Sequence, residues 1–286
     1  MSQFDNMYLD LCDRILSQGV KTQARNGITY RIPGNVWDFD LSKEFPILTT
    51  KSVAFKSAIL EILWFYQAQS NRVQWLRDRG VHIWDKWEVS EDGIYRNPDT
   101  GSEKFFGKKW AGTIGSAYGY IVKKYNLMNE CIRKIKEEPE NRRNIISLWQ
   151  DCEIPTAVLP SCVWNSTWMV LDGKLYSFVE QRSCDTAVGV PFNIVQYAAL
   201  TCMLAHVTGL KPGVMHYEMV DVHIYEKHID GIKEQLSRRN DALPAPKLWL
   251  NPDIKDFYEF DNSRELKDIK LIDYQHLDRI KFDVIA

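Results

Sequence analysis

Apolar residues recur along positions 4–18 at the spacing of one helical face and stop at Gly19, which predicts an amphipathic helix ending there. Residues 28–48 read as short extended pieces separated by Pro33-Gly34 and by Pro46. Residues 53–68 (VAFKSAILEILWFYQA) are apolar on nearly every side and predict a long, mostly buried helix with Glu61 inside it. Residues 88–113 are polar and broken by Asp92-Gly93, Asn97-Pro98 and Thr100-Gly101, the pattern of a surface insertion. A further helix is predicted over 126–138, closed by Pro139.

The second half of the chain is patterned more sharply. Residues 163–171 and 174–182 flank Asp172-Gly173, a strong two-residue hairpin signal. Residues 192–208 (FNIVQYAALTCMLAHVT) predict a helix that is apolar almost all round, hence central to a core, ending at Gly209. A strand follows over 214–222 and an amphipathic helix over 226–239. Runs of strands mixed with long helices, without regular alternation, predict an α+β fold. No repeat or Pro/Gly/Ser linker divides residues 1–286, so one domain is expected.

Composition narrows the class. Of 286 residues, 45% are hydrophobic and 26% charged, which excludes wholesale disorder. Lys+Arg is 36 against Asp+Glu 38, so no global basic excess exists to grip nucleic acid. The N-terminal residues lack a basic start and an apolar run, and no apolar stretch reaches the roughly 18 residues of a membrane span. A cytoplasmic location, no membrane partner and no nucleic-acid partner are expected. The six cysteines are then expected as thiols, and no C-x-x-C pair suggests structural zinc.

Individual residues leave their chemistry open. Cys162 enters a strand from a loop, but its type alone places it no better than Cys184 or Cys202. Arg142-Arg143 suits a phosphate dianion, yet an isolated pair is more often a solvated turn. Glu61 could be buried with a raised pKa or could reach out to a cation. Asp221, His223 and Tyr225 share a strand face, where a lone histidine is more often structural. The pairs His223/His228 and Cys202/His206 have loose metal-like spacing without a third ligand, and metal is rejected for both. Arg182, Ser183, Asp185 and Asn193 cluster beside the apolar helix, a costly polar group unless a ligand or partner satisfies it.

Taken in order, these stretches resemble the thymidylate synthase family. The resemblance runs from about Arg25 to the C-terminus and is strongest in QRSCDTAVGVPFN (181–193), with Cys162 ahead of it. ILTTK (47–51), EILWF (61–65), HIWDKW (82–87), Tyr118-Gly119, Arg142-Arg143 and DVHIY (221–225) fall in the family's order. The resemblance implies one α+β domain around a large mixed sheet with long buried helices, paired as a homodimer through its sheets. It implies reductive methylation of dUMP to dTMP, with 5,10-methylenetetrahydrofolate giving carbon and hydride and no metal required.

It also implies roles. Cys162 would add to C6 of the uracil. Arg25 and Arg182 would hold the phosphate, with Ser183 in contact, while Arg142 and Arg143 reach in from the partner chain. Asn193 would read O4 and N3–H, and His223 and Tyr225 would bond the deoxyribose hydroxyl. Cys184 and Ile224 fall within the two nucleotide-contacting stretches. Asp185 would face both nucleotide and folate. Glu61 would organise water and protons at O4 and C5, and Tyr118 would help remove the C5 proton. Trp84, Trp87, Val188, Gly189 and Phe192 would wall the folate, and the tail Val284-Ile285-Ala286 would close over it.

Three positions depart from the usual pattern. Ser161 stands where Pro usually precedes the nucleophile, Val163 where His often follows it, and Ala54 where a folate-contacting His is expected. Two rival readings remain at this level. One is a dUMP hydroxymethylase of the same superfamily; members acting on dCMP carry Asp at the position of Asn193. The other is a catalytically silent nucleotide- or RNA-binding homologue, against which the charge balance and the intact Cys162, Arg182, Asp185 and Asn193 argue.

Overall fold

The computed structural model describes residues 2–285. In chain order the elements are α1 (Gln3–Gln18), β1 (Val20–Ala24), β2 (Gly27–Asp40), α2 (Phe55–Tyr66), α3 (Gln74–Arg77), β3 (Ile94–Arg96) and β4 (Glu103–Phe105). They continue with α4 (Gly119–Lys124), α5 (Leu127–Glu137), β5 (Ile145–Ser147), β6 (Val163–Leu171), β7 (Lys174–Asp185) and α6 (Gly189–Val207). The chain ends with β8 (Lys211–Tyr225), α7 (Ile229–Ser237), β9 (Lys247–Leu250) and β10 (Ile269–Ile272).

Six strands form one mixed sheet in the order β1-β2-β8-β7-β6-β5. Only β7 and β8 run parallel, because α6 carries the chain back between them. The other pairs are antiparallel. The β6–β7 turn places Asp172 and Gly173 at φ +49° and +67°, as the hairpin signal requires.

Helix α6 is buried on nearly all sides and packs on α2, β7 and β8. By length and composition it could cross a membrane, but 83% of its apolar window is buried inside the fold. A continuous apolar core therefore lies between the helices and one face of the sheet. The other face carries Val36, Val220, Met169, Leu171 and Ile145, all exposed. Strand register puts them on one side, since Val36 opposes Glu218 and Ile145 opposes Thr167.

One expectation changes. The stretch 28–48 contains one 14-residue strand that runs through Pro33-Gly34. Pro33 lies past the last β1 partner, Arg31, so its missing N–H costs no ladder bond there. Residues 88–113 form the β3/β4 hairpin and bury Tyr95, Phe106 and Trp110. Gly93 is required in it: a Cβ there would lie 2.5 Å from the backbone of Gly107.

Candidate active site

The parallel β7–β8 pair explains why distant residues meet. Asp185 is in register with His223 at the carboxyl ends of both strands. Strand β6 runs antiparallel, so its first residue, Val163, sits beside Gln181, and Cys162 O accepts a bond from Arg182 N at 2.9 Å. Helix α6 begins just after Asp185 and brings Asn193 over the same end. Helix α2 packs on α6 and adds Glu61. The result is an apolar cleft of about 190 Å³ lined by Cys162, Glu61, Tyr118, Asn193, Trp84, Trp87, Val188, Gly189 and Phe192 among others. Among the described residues, no group of three or more His, Cys, Asp or Glu is arranged to hold a metal ion.

Cys162 is half-buried at the mouth of β6. Burial raises its thiol pKa above the ordinary value, and Arg182 and the Tyr118 hydroxyl pull it back down. Desolvation therefore outweighs the positive neighbour. Arg182 also holds the backbone in place. Its Nε donates to Ser161 O at 3.0 Å and its Nη2 to Pro160 O at 2.9 Å. Its guanidinium lies 5.1 Å from the Trp149 ring centre. The arginine thus anchors the loop that presents the thiol.

Tyr118 accepts a hydrogen bond from Cys162 N at 3.1 Å and stacks on Phe65 with centres 4.2 Å apart. It holds a φ of +47°, uncommon for a residue with a side chain. The next residue must be glycine, because a Cβ at Gly119 would meet Ser70 O at 2.2 Å.

Glu61 is 6% exposed, and burial raises its pKa to about 7 against the pull of two donors. Those donors are Trp84 Nε1 on one oxygen and Gln196 Nε2 on the other. Asn193 donates from Nδ2 to Gln196 Oε1 at 2.9 Å and accepts on Oδ1 from Gln181 Nε2 at 3.0 Å.

The remaining expected contacts divide. Asp185 accepts from Ala187 N at 3.1 Å and Val188 N at 3.4 Å. His223 is buried beside Asp221, and Tyr225 meets it edge-on at 5.3 Å. Asp221 bonds His223 and Arg31, which lowers its pKa to about 2. Ser183 is half-buried between Arg182 and Cys184. Cys184 and Ile224 are fully enclosed, so each can offer a ligand only its backbone. Arg25 is exposed on the β1–β2 turn, near enough to Tyr225 for its charge to oppose the burial-driven rise of that phenol. Arg142 and Arg143 are exposed on the loop after α5 and line a separate groove with Glu137, Glu138, Pro139, Glu140 and Asn141.

The tail lies against the cleft. Val284 lines it, and Lys86 Nζ donates to Val284 O at 2.9 Å. Ala286 lies outside the described residues. Phe282 covers Lys51, whose Nζ sits 4.4 Å from the ring centre and donates to Ala187 O at 2.6 Å. Burial lowers the Lys51 pKa to about 8. His228 shares a bond with Asp283 O at 2.9 Å, and its Nδ1 faces Asp185 at 3.9 Å. Of the departures, Ser161 and Val163 are buried and Ala54 is exposed.

Gln181, Gln196, Tyr217, Lys51 and His228 had no assigned role in the sequence. Gln196 left a signal: it lies three residues after Asn193 on an otherwise apolar helix, hence on the same face. Tyr217 left none, because its link to Gln181 joins different strands.

A profile of the family described as thymidylate synthase matches residues 6–286. The chain is 45% identical over 285 residues to a thymidylate synthase of Clostridium beijerinckii, with 99% of each chain covered. It is 38% identical over 304 aligned positions to one of Bacillus licheniformis, again with 99% of each covered. Its fold superposes on the thermostable thymidylate synthase A of Bacillus subtilis with a TM-score of 0.84, at 37% identity and 99% coverage of each chain.

Proposed function

The chain belongs to the thymidylate synthase family, and from that premise we propose how its residues divide the work. Its activity is that of a methyltransferase: reductive methylation of dUMP to dTMP, with methylenetetrahydrofolate as cosubstrate. Relatives along the full chain carry this name, so methylation rather than hydroxymethylation or silent binding is the reading carried forward.

Cys162 is the nucleophile that adds to C6 of the uracil. The observation that carries this reading is its place in one apolar cleft with Glu61, Tyr118 and Asn193. Attack requires the thiol to lose its proton in a site where burial resists that loss, and Arg182 supplies the opposing charge. Glu61, with a pKa near 7, can hold or release a proton close to neutrality, which suits proton movement at O4 and C5. Tyr118 assists at C5, its hydroxyl held over the Cys162 backbone. Asn193 keeps one free donor and one free acceptor position for O4 and N3–H.

Asp185 faces both substrates, and His223 and Tyr225 bind the deoxyribose. Methylenetetrahydrofolate, when bound, supplies the carbon and the hydride. The cleft fits a flat pterin, because Trp84, Trp87, Val188, Gly189, Phe192 and Val284 form an apolar wall. The tail closes over it and excludes water.

Arg182, Arg25 and Ser183 bind the phosphate from within the chain. Arg142 and Arg143 complete that site in a homodimer, each reaching the partner's cleft. Their exposure on a loop that lines a different groove supports this, as does the apolar sheet face opposite α6. Residues 1–286 act as one catalytic domain in the cytosol, with 88–113 an insertion that meets the tail through Lys86, bonded to both Asp99 and Val284 O.

The test is near-ultraviolet absorbance with dUMP and methylenetetrahydrofolate. The expected result is a Cys162-dependent rise as dihydrofolate forms. A flat trace with an active control enzyme would overturn the reading.

A further inference from the structure

The uracil-reading amide of Asn193 does not stand alone. Its Nδ2 donates to Gln196 Oε1 at 2.9 Å and its Oδ1 accepts from Gln181 Nε2 at 3.0 Å. A side-chain amide can be turned by half a rotation at little cost unless its neighbours forbid it. Both neighbours here are themselves pinned. Gln196 Nε2 donates to Ala58 O at 3.3 Å and to the Glu61 carboxylate, so Oε1 must face Asn193. Gln181 Nε2 donates to Ser183 O at 2.9 Å while Tyr217 Oη donates to Gln181 Oε1 at 2.6 Å, so a donor must face Asn193 on that side.

We infer that Gln196 is a specificity-determining positioning residue, holding Asn193 in the one orientation that reads uracil and tying that orientation to Glu61. Turning Asn193 to suit cytosine, whose N3 accepts and whose 4-amino group donates, would set oxygen against Gln196 Oε1 and N–H against Gln181 Nε2. Both pairs repel, and Gln181 and Gln196 are buried, which makes each mismatch costly. Discrimination between the bases therefore resides in the backbone carbonyl of Ala58 as relayed by Gln196, as well as in Asn193 itself. The inference rests on the base-reading role proposed for Asn193.

The experiment measures dissociation constants for dUMP and dCMP by calorimetry on the full chain, and the pH profile of turnover. Gln196→Met keeps the length and removes both polar ends. The expected result is a loss of the dUMP-over-dCMP preference by about tenfold or more. Gln196→Glu keeps an acceptor toward Asn193, so its preference is expected to stay within about threefold of the parent. Both variants lose a donor to the ionised Glu61, and the acid limb of the profile is expected to move to higher pH. Equal weakening of both nucleotides by Gln196→Met, with preference retained, would overturn the inference and leave the functional reading intact. A parent chain that binds neither nucleotide would overturn the functional reading, and this inference with it.

Discussion

The floor of the cleft and the exposed cations outside it are built on opposite terms. On the floor, Glu61, Gln196, Asn193, Gln181 and Tyr217 form one continuous run of hydrogen bonds drawn from α2, α6, β7 and β8. Their partners are within the chain, and burial makes each unmade bond costly. Outside the floor, Arg25 stands exposed on the β1–β2 turn, Arg142 and Arg143 stand exposed on the loop that lines a separate groove, and Lys86 bonds the tail at Val284 O. Long exposed cations have little to fix them until a ligand or partner arrives. Under the proposed function the contrast becomes a division of labour: the floor would decide which base enters and how protons move, and the exposed cations and the tail would set affinity and closure.

The strongest way to break that division is at the nucleophile. Cys162→Ser is expected to lower turnover by roughly 10³-fold or more while dUMP affinity stays within about tenfold. Stopped assays and calorimetry check both. Wild-type turnover in the variant would remove Cys162 from the mechanism.

Glu61→Gln comes next, with turnover expected to fall by about 10²- to 10⁴-fold. The stability effect has the opposite sign. The Glu61 pKa is raised from 4.5 to about 7 in the fold. Its favourable contribution is therefore complete below the unfolded value and is lost as pH rises through about 7. Relative to Glu61→Gln, the parent is expected to lose about 1–3 kcal/mol between pH 5 and pH 8. Denaturant melts at the two pH values measure this, and a constant difference would contradict the burial argument.

Among the exposed cations, Arg142→Ala is expected to raise the dUMP KM by about 10- to 100-fold with a smaller effect on kcat. Its cost should shrink as salt rises, because exposed charges are screened. Mixing this variant with Cys162→Ser should restore activity if the site is shared between chains. No recovery in verified heterodimers would confine the site to one chain.

The smallest effect is expected at Lys86→Ala, which frees the Val284 carbonyl. The folate KM should rise a few-fold, by about 1 kcal/mol for one lost exposed bond, with the dUMP KM unchanged. Equal shifts in both constants would argue against a tail-specific role.

What the sequence makes legible follows the same division. Helix α1 is readable because its apolar period runs to Gly19, and Ser2 accepts from Asp5 N at its start. The β6–β7 hairpin is readable from Asp172-Gly173, which supply the positive φ values its turn needs. Strand β2 is misread because Pro33 normally ends a strand, and only the free edge beyond β1 makes it harmless. Glu61 stands out as a charge in an apolar run, and the fold decides for burial over an outward reach to a cation. Cys162 is singled out only by resemblance, since burial and the Arg182 contact depend on strands meeting in space. The amide run is the least legible feature, because most of its bonds join residues whose nearness only the folded chain creates.

The most direct test of the account is intact-protein mass spectrometry after mixing the chain with 5-fluoro-dUMP and methylenetetrahydrofolate. Fluorine at C5 blocks the proton removal that would release the enzyme. The expected result is one stoichiometric adduct carrying nucleotide and folate, mapped by peptide digestion to Cys162. No adduct under conditions where dUMP binds, or an adduct on another cysteine, would contradict the account.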